Sequence, residues 1–365
     1  PVIAETVRFE HAGTHIDAVG TSRAMLSAEI HPAAAGEVVA VKFEPGQFVS
    51  KGDVLVELDS RQQVLDEELA ELRLVDAERL YDRYARSAGY MDWDNQPDPF
   101  RTYMDAPPLS LPLDTPDPAL DYASLYRPAA TAPAPLTPST ISTLLALSLG
   151  LSAWKAVPGQ RWSLRINPSS GNLHPTEAHL MTIGVSDLSD GIYHYHPLHH
   201  ALETRALFRP ETVRTVTPHL APPCLAIALS SIFWRESWKY GERAFRYCNH
   251  DVGHALAAIS VAANLFGWKA TYLSGLSDQE LGTMLGFDKT RFETLEEEHP
   301  DLLCWVHPYP ASDIPHKLSE PIISGVKDAV FKGRPNRLSR QPVDWEIIYS
   351  TAEATRKPAD RKSVV

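Results

Sequence analysis

The stretch RINPSSGNLHPTEAHL (residues 165–180) decides how the rest of the chain is read. It sets two adjacent hydroxyls, a glycine, an amide, a histidine and a carboxylate between and beside two prolines, then runs without a break into the apolar AHLMTIG (178–184). Every residue of PSSGN is a common turn former, so the local reading is a turn that enters a strand. The same residues suit a ligand loop: glycine allows close backbone approach, and the hydroxyls and amide supply donors and acceptors. These residues alone leave both readings open.

Outward from this stretch the pattern is α/β. GIYHYHP (191–197) and AHLMTIG read as strands, CLAIALSSIF (224–233) as a buried strand, and DLLCWVHPYP (301–310) as a last strand. ERAFRYCNHDVGHALAAISVAANLFGW (242–268) is a long helix that becomes almost wholly apolar, and SDQELGTMLGF (277–287) a short capped one. STISTLLALSLGLSAW (139–154) reads as a helix with a Ser/Thr start. Residues 87–138 (NQPDPF, APPLSLPLDTPDPAL, RPAATAPAPLTP) are rich in proline without periodicity and read as an extended connector.

The N-terminal part differs in kind. Through residue 59 it consists of short β-rich runs: Val38, Val39, Val41 and Phe43 precede Pro45-Gly46, and Val54, Leu55, Val56 and Leu58 follow Lys51-Gly52-Asp53. Over residues 60–86, Val64, Leu69, Leu72, Val75 and Leu80 recur at helical spacing among alternating charges, with Asp59 or Ser60 as the N-cap.

Composition narrows the function classes. The 365 residues carry a net charge of −12 with no basic stripe, which argues against nucleic acid or an acidic membrane face. The longest near-apolar segment, ALAAISVAANLFGW (255–268), falls short of the ~20 residues that span a bilayer, so no membrane span is expected. Cys224, Cys248 and Cys304 are scattered within apolar runs and read as buried, reduced thiols. HYHPLHH places His194 and His196 on one strand face; with no cysteine or carboxylate beside them, a surface hairpin is expected rather than a metal site.

Two resemblances follow. Residues 19–58, through AEIHPAAAGEVVAVKFEPGQFVSKGDVLVELD (28–59), resemble the first half of the barrel-sandwich, lipoyl-like domain of HlyD-type periplasmic adaptors, with the following helix as the first arm of their hairpin. No second copy of the glycine-valine motif occurs, and neither Lys42 nor Lys51 stands at a tip suited to biotin or lipoate. Residues 81–358 resemble the nitroreductase superfamily, above all the SagB-type FMN-dependent dehydrogenases. The motifs are RINPSSGNLHPTEAHL, WKYGERAFRY, DVGHALAAISVAANLFGW, YLSGLSDQELGTMLGF and DLLCWVHP.

The second resemblance implies an α+β fold of the nitroreductase type, an α/β sandwich, following the small partial all-β barrel-sandwich and helix. Domain limits would be 1–59, 60–86, 87–138, 139–332 for the FMN domain, and 333–365 for a linker or tail. It implies FMN as cofactor, contacted by Arg165, Pro168, Ser169, Ser170, Gly171 and Asn172, by the main chain of Tyr272, Leu273, Ser274 and Gly275, and at its phosphate by Arg243, although Arg243 and Arg246 could instead pair with Glu242 and Asp251. Lys239 and Tyr240 would remove a proton from the carbon that gives up hydride, in a small organic or peptide-azoline substrate. A lysine base needs burial or a neighbouring cation, and Arg235 and Arg243 are near in sequence. The family's Arg-Arg-Ser-x-Arg phosphate anchor has only Arg127 in its place, so the expected partner is a second copy or a tandem nitroreductase domain. Such enzymes are cytoplasmic, whereas the adaptor-like segment implies the periplasm. The alternatives are a non-enzymatic adaptor fragment and a flavin-free half that completes a partner's site.

Overall fold

The computed structural model describes residues 31, 36–81, 85–86, 88–114, 118, 120, 122–126, 132–220, 222–309 and 317–358, with the backbone alone over 73–81. Residues 19–30 of the adaptor-like match, and Arg127, lie outside them. The chain divides into two compact units, Pro1–Tyr84 and Ala85–Val365.

In the first unit β1 (Val38–Val41) pairs antiparallel with β2 (Val56–Leu58), Val41 opposite Val56. The expected turns lie between them, with Gly46 and Gly52 at φ 89 and 106°, values that favour glycine. This is an open two-stranded sheet, and Val38, Val39, Val41 and Val54 are exposed. Helix α1 (Arg61–Tyr81) follows where the sequence predicts, the Asp59 carboxylate accepting from the Arg61 N–H at 3.0 Å.

The second unit is built on a seven-stranded antiparallel sheet. Its strands are β4 (Pro108–Ser110), β7 (Thr176–Ile183), β8 (Gly191–His196), β9 (Ala201–Leu207), β10 (Cys224–Ser231), β11 (Trp268–Tyr272) and β12 (His299–Pro308), in the spatial order β11-β12-β10-β7-β8-β9-β4. Two small sheets accompany it: β3 (Tyr103–Met104) with β13 (Arg334–Pro335), and β5 (Leu151–Val157) with β6 (Gln160–Arg165). The helices are α2 (Pro138–Ala146), α3 (Pro210–Val216), α4 (Phe233–Tyr240), α5 (Ala244–Asn264), α6 (Asp278–Met284), α7 (Glu320–Lys327) and α8 (Glu346–Ala354).

Period-two alternation in β10 explains the layering. Leu225, Ile227 and Leu229 face one way, into a core with Ile141, Leu144 and Leu145 of α2 and Val252, Ala255, Ile259 and Ala262 of α5. Cys224, Ala226 and Ala228 face the other way, with Leu281 and Met284 of α6 and Ile322, Ile323 and Val326 of α7. Each large aliphatic side chain so buried contributes about 1.5–3 kcal/mol, and both faces are covered: an α/β sandwich. The three cysteines are buried and free, as expected. Helix α8 lies in the segment read as a tail and packs Trp345 and Ile348 against Phe233, Ala244 and Cys248. Among the described residues no helix is long and apolar enough to cross a membrane.

Two expectations are corrected. The helix predicted over 139–154 stops at Ala146, and Leu151–Val157 is a strand. A Cβ on Gly150 would lie 2.8 Å from the Ala146 carbonyl oxygen, so the chain leaves the helix where only glycine fits, and Pro158-Gly159 then turns it back into β6. The histidine cluster is a β8–β9 hairpin but not a surface one: His194, His196 and His200 are 0, 1 and 7% exposed. Carboxylates do join it, from other places in the chain: His194 bonds Glu177 at 2.9 Å and Glu203 at 2.8 Å. Those bonds outweigh burial and raise its pKa to about 9. Among the described residues no group of His, Cys, Asp or Glu is disposed to hold a metal.

Candidate functional site

The loop between β6 and β7 is shaped by its own side chains. Gly171, Asn172 and His174 have φ of 62, 60 and 53°, a left-handed run that glycine and asparagine adopt most readily. Ser169 Oγ accepts from the His174 N–H at 2.8 Å, and Asn172 Nδ2 donates to the Ser163 carbonyl at 2.9 Å while its Oδ1 pairs with His174 Nε2 at 2.9 Å. Burial, then Arg165 and Arg235, push the His174 pKa down to about 2, so its ring is neutral. The Ser170 N–H donates to both Asp251 oxygens, at 3.1 and 3.2 Å, which ties the loop to α5.

Strand register brings α4 beneath this loop. Thr176 of β7 pairs with Ser231 of β10, so the chain entering β7 and the helix leaving β10 meet at one end of the sheet. Arg235, 1% exposed, is held there by Glu177, by the His174 carbonyl at 3.0 Å and by the Asp98 carbonyl at 2.8 Å. About one turn of helix later, Lys239 and Tyr240 reach the loop. A Cβ placed on Gly171 would lie 2.7 Å from Tyr240 Oη and 3.0 Å from Lys239 Nζ, closer than real Cβ contacts come. The Tyr240 ring meets Tyr247 edge-on at 4.7 Å, and Lys239 Nζ lies 5.5 Å from the Tyr240 ring centroid. Burial, then Glu236, Tyr247 and Asp251, raise the Tyr240 pKa, so the phenol keeps its proton at neutral pH.

The residues singled out in the sequence do not all come together. Pro168 to Asn172 come together with Lys239 and Tyr240. Tyr272, Leu273, Ser274 and Gly275 leave the same end of the sheet, since Tyr272, Cys304, Ile227 and Leu180 are in register. They are three strands away from the loop, roughly 14 Å at ~4.8 Å per strand. The Leu273 N–H is already bonded to the Leu303 carbonyl at 2.9 Å. Arg165 stands apart: it is 8% exposed, its guanidinium donates to the Pro99 and Thr176 carbonyls, and it does not open onto the loop surface. Arg243 and Arg246 are exposed at the start of α5, and Asp251, which sequence would pair with them, serves Ser170 instead. His254 is half exposed and 3.7 Å from Asp251.

Sequence reasoning missed Glu236. Its residue is 0% exposed, neither carboxyl oxygen has a hydrogen-bond partner among the described residues, and burial followed by Asp251 pushes its pKa up to about 9. A lone acid among the aromatic residues Phe233, Trp234, Trp238 and Tyr240 was the available signal.

A solved structure from Anabaena variabilis, described as a nitroreductase candidate, superposes with a TM-score of 0.51 at 21% identity, over 75% of this chain and 52% of that one. The fold is nitroreductase-like. This chain spans about half the length of that nitroreductase-like structure. A second one, from Ralstonia eutropha, gives a TM-score of 0.41 at 14% identity over 63% of this chain and all of the other. In sequence, a nitroreductase candidate of Methanocaldococcus jannaschii is 27% identical over 149 residues, 39% of this chain and 74% of that protein. No known family profile matches the chain.

Proposed function

We propose that the Ala85–Val365 unit is a flavin-dependent oxidoreductase of nitroreductase type, SagB-like in its motifs, acting on a small organic or peptide-azoline substrate. The observation that carries this is the convergence of Gly171, Lys239 and Tyr240, from segments about seventy residues apart in sequence, at the end of the sheet. FMN, when bound, supplies the ring that takes up hydride.

The chain's own groups fit that cofactor in part by shape and in part by charge. Gly171, at positive φ and without a Cβ, lets a flat ring approach the backbone. Ser169, Ser170 and Asn172 act through the loop conformation that they fix, because their polar groups are spent on His174, Asp251 and Ser163. Tyr272 to Gly275 offer main-chain groups at the same end of the sheet, and Arg243, exposed at the start of α5, is the cation for the phosphate. Lys239 Nζ takes the substrate proton, and Tyr240, held as a phenol, donates a hydrogen bond beside it. A second copy or tandem domain completes the phosphate side, with the unit working in the cytoplasm. The adaptor-like reading of Pro1–Tyr84 is a separate proposal, supported by its valine-rich hairpin and following helix.

The engagement of Arg165 with Pro99 and Thr176 favours one rival: a flavin-free half that completes a partner's site. Visible absorbance of the purified chain, titrated with FMN, separates them. A flavin spectrum near one FMN per chain supports the enzyme; a folded protein that stays colourless overturns it. In a flavin-loaded protein, Lys239→Ala is expected to lower kcat by roughly 10²–10⁴-fold, the usual worth of general-base catalysis. Unchanged turnover with flavin still bound would remove Lys239 from the reaction.

A further inference from the structure

Glu236 stands three and four residues before Lys239 and Tyr240 on α4, so the three side chains share one helix face. It is fully buried, and among the described residues neither of its oxygens meets a donor. An unpaired buried carboxylate is strongly disfavoured over its neutral acid. The charged groups that face it are Lys239 on its own helix and Asp251 on α5, while Tyr240 and Cys248 are themselves influenced by it. Asp251 is committed to the Ser170 N–H and lies 3.7 Å from His254, so it offers Glu236 repulsion rather than a partner.

We propose that Glu236 is a positioning residue for the Lys239–Tyr240 pair: an uncharged carboxylic acid beneath the helix end that exerts no ionic pull on the Lys239 side chain and leaves its Nζ free to face Gly171. Once ionised, the same carboxylate draws Lys239 Nζ inward, away from the loop. Burial and Asp251 keep the proton on Glu236 up to about 9, so the inward pull is absent at neutral pH and present above it. The proposal rests on the assignment of Lys239 and Tyr240 as the reacting pair.

Its test compares the full chain with Glu236→Gln, which keeps the size and cannot ionise. Reductive methylation of Lys239, followed by peptide mass spectrometry, needs neither flavin nor turnover. The two proteins are expected to react alike at pH 7, and at pH 10 the wild type should react about fivefold more slowly, the effect of one modest ion pair. Superimposed rates at pH 10 overturn the proposal. Should Glu236→Gln fail to fold, carbon-13 labelling of glutamate in the wild type decides: one side-chain carboxyl must titrate near pH 9, and none titrating above pH 8 overturns it equally. A turnover profile of the flavin-loaded wild type should fall on the alkaline side where that of Glu236→Gln does not. Loss of all turnover would remove the reaction assigned to the pair and leave the methylation result standing.

Discussion

Glu177 and Glu236 are buried alike, 2 and 0% exposed, the first bound to Arg235 of α4 and the second on α4 itself, yet one is an anion and the other an acid. Burial pushes the Glu177 carboxyl up, but Arg235, His194 and Arg165 outweigh it and hold the pKa at about 2. Glu236 has the same burial with no donor and a second carboxyl in Asp251, and its pKa rises to about 9. Partners, not depth, set the charge. The satisfied carboxylate belongs to a scaffold that runs from Arg235 through Glu177 and His194 to Glu203. The unsatisfied one sits beside Lys239 and Tyr240, the pair proposed to react, where a group held out of its ordinary state would be more useful than a stable one.

The largest expected effect breaks the satisfied side. Glu177→Gln leaves Arg235, 1% exposed, and the raised His194 facing a neutral amide, and should cost about 3–5 kcal/mol of stability in urea unfolding at pH 7. A loss under about 1 kcal/mol would mean that the network does not depend on this charge. Glu177 is held below its unfolded value of 4.5, so its contribution is present above pH 4.5 and fades as pH falls towards 2. The variant should lack that part of the acid dependence.

Glu236→Gln probes the other side, with the opposite sign. The folded pKa is raised from 4.5 to about 9, so the wild type is least penalised below pH 4.5 and loses stability as pH rises towards 9. The variant should match the wild type near pH 4.5 and exceed it increasingly as pH rises towards 9. Parallel stability curves across that window would show that Glu236 is ionised throughout.

The layered fold was legible because burial writes itself as periodicity. CLAIALSS alternates apolar faces along β10, Val252, Ala255, Ile259 and Ala262 recur at helical spacing as the buried face of α5, and Ser277 with Glu280 forms a reciprocal cap at α6. What failed depends on residues far apart in sequence. The histidines are buried because Glu177 and Glu203, on neighbouring strands, satisfy His194, and because Thr102 pairs with His196 at 3.0 Å. Strand Leu151–Val157 was hidden by an apolar spacing that continues the helix, although Gly150 and Pro158-Gly159 marked its ends. In the site, the loop and the Lys239-Tyr240 pair were each visible as motifs. Their meeting was not, because it follows from the pairing of Thr176 with Ser231.

The smallest expected effect on stability sharpens the comparison most, because it separates a turn from a site. Gly171→Ala places a Cβ at φ 62°, which costs an L-residue about 1–2 kcal/mol, and sets it 2.7 Å from Tyr240 Oη and 3.0 Å from Lys239 Nζ. Both obstructing atoms are the far ends of side chains, so they can swing aside, and the stability loss should stay near that of the backbone alone. Gly171→Asn carries the same Cβ but tolerates the left-handed conformation better, so it should regain part of the lost stability. If Gly171 is only a turn residue, Asn also restores the wild-type methylation rate of Lys239. If the bare Cα is there for what it lets Lys239 and Tyr240 face, both variants change that rate equally while differing in stability, and the loop has a use beyond its own fold.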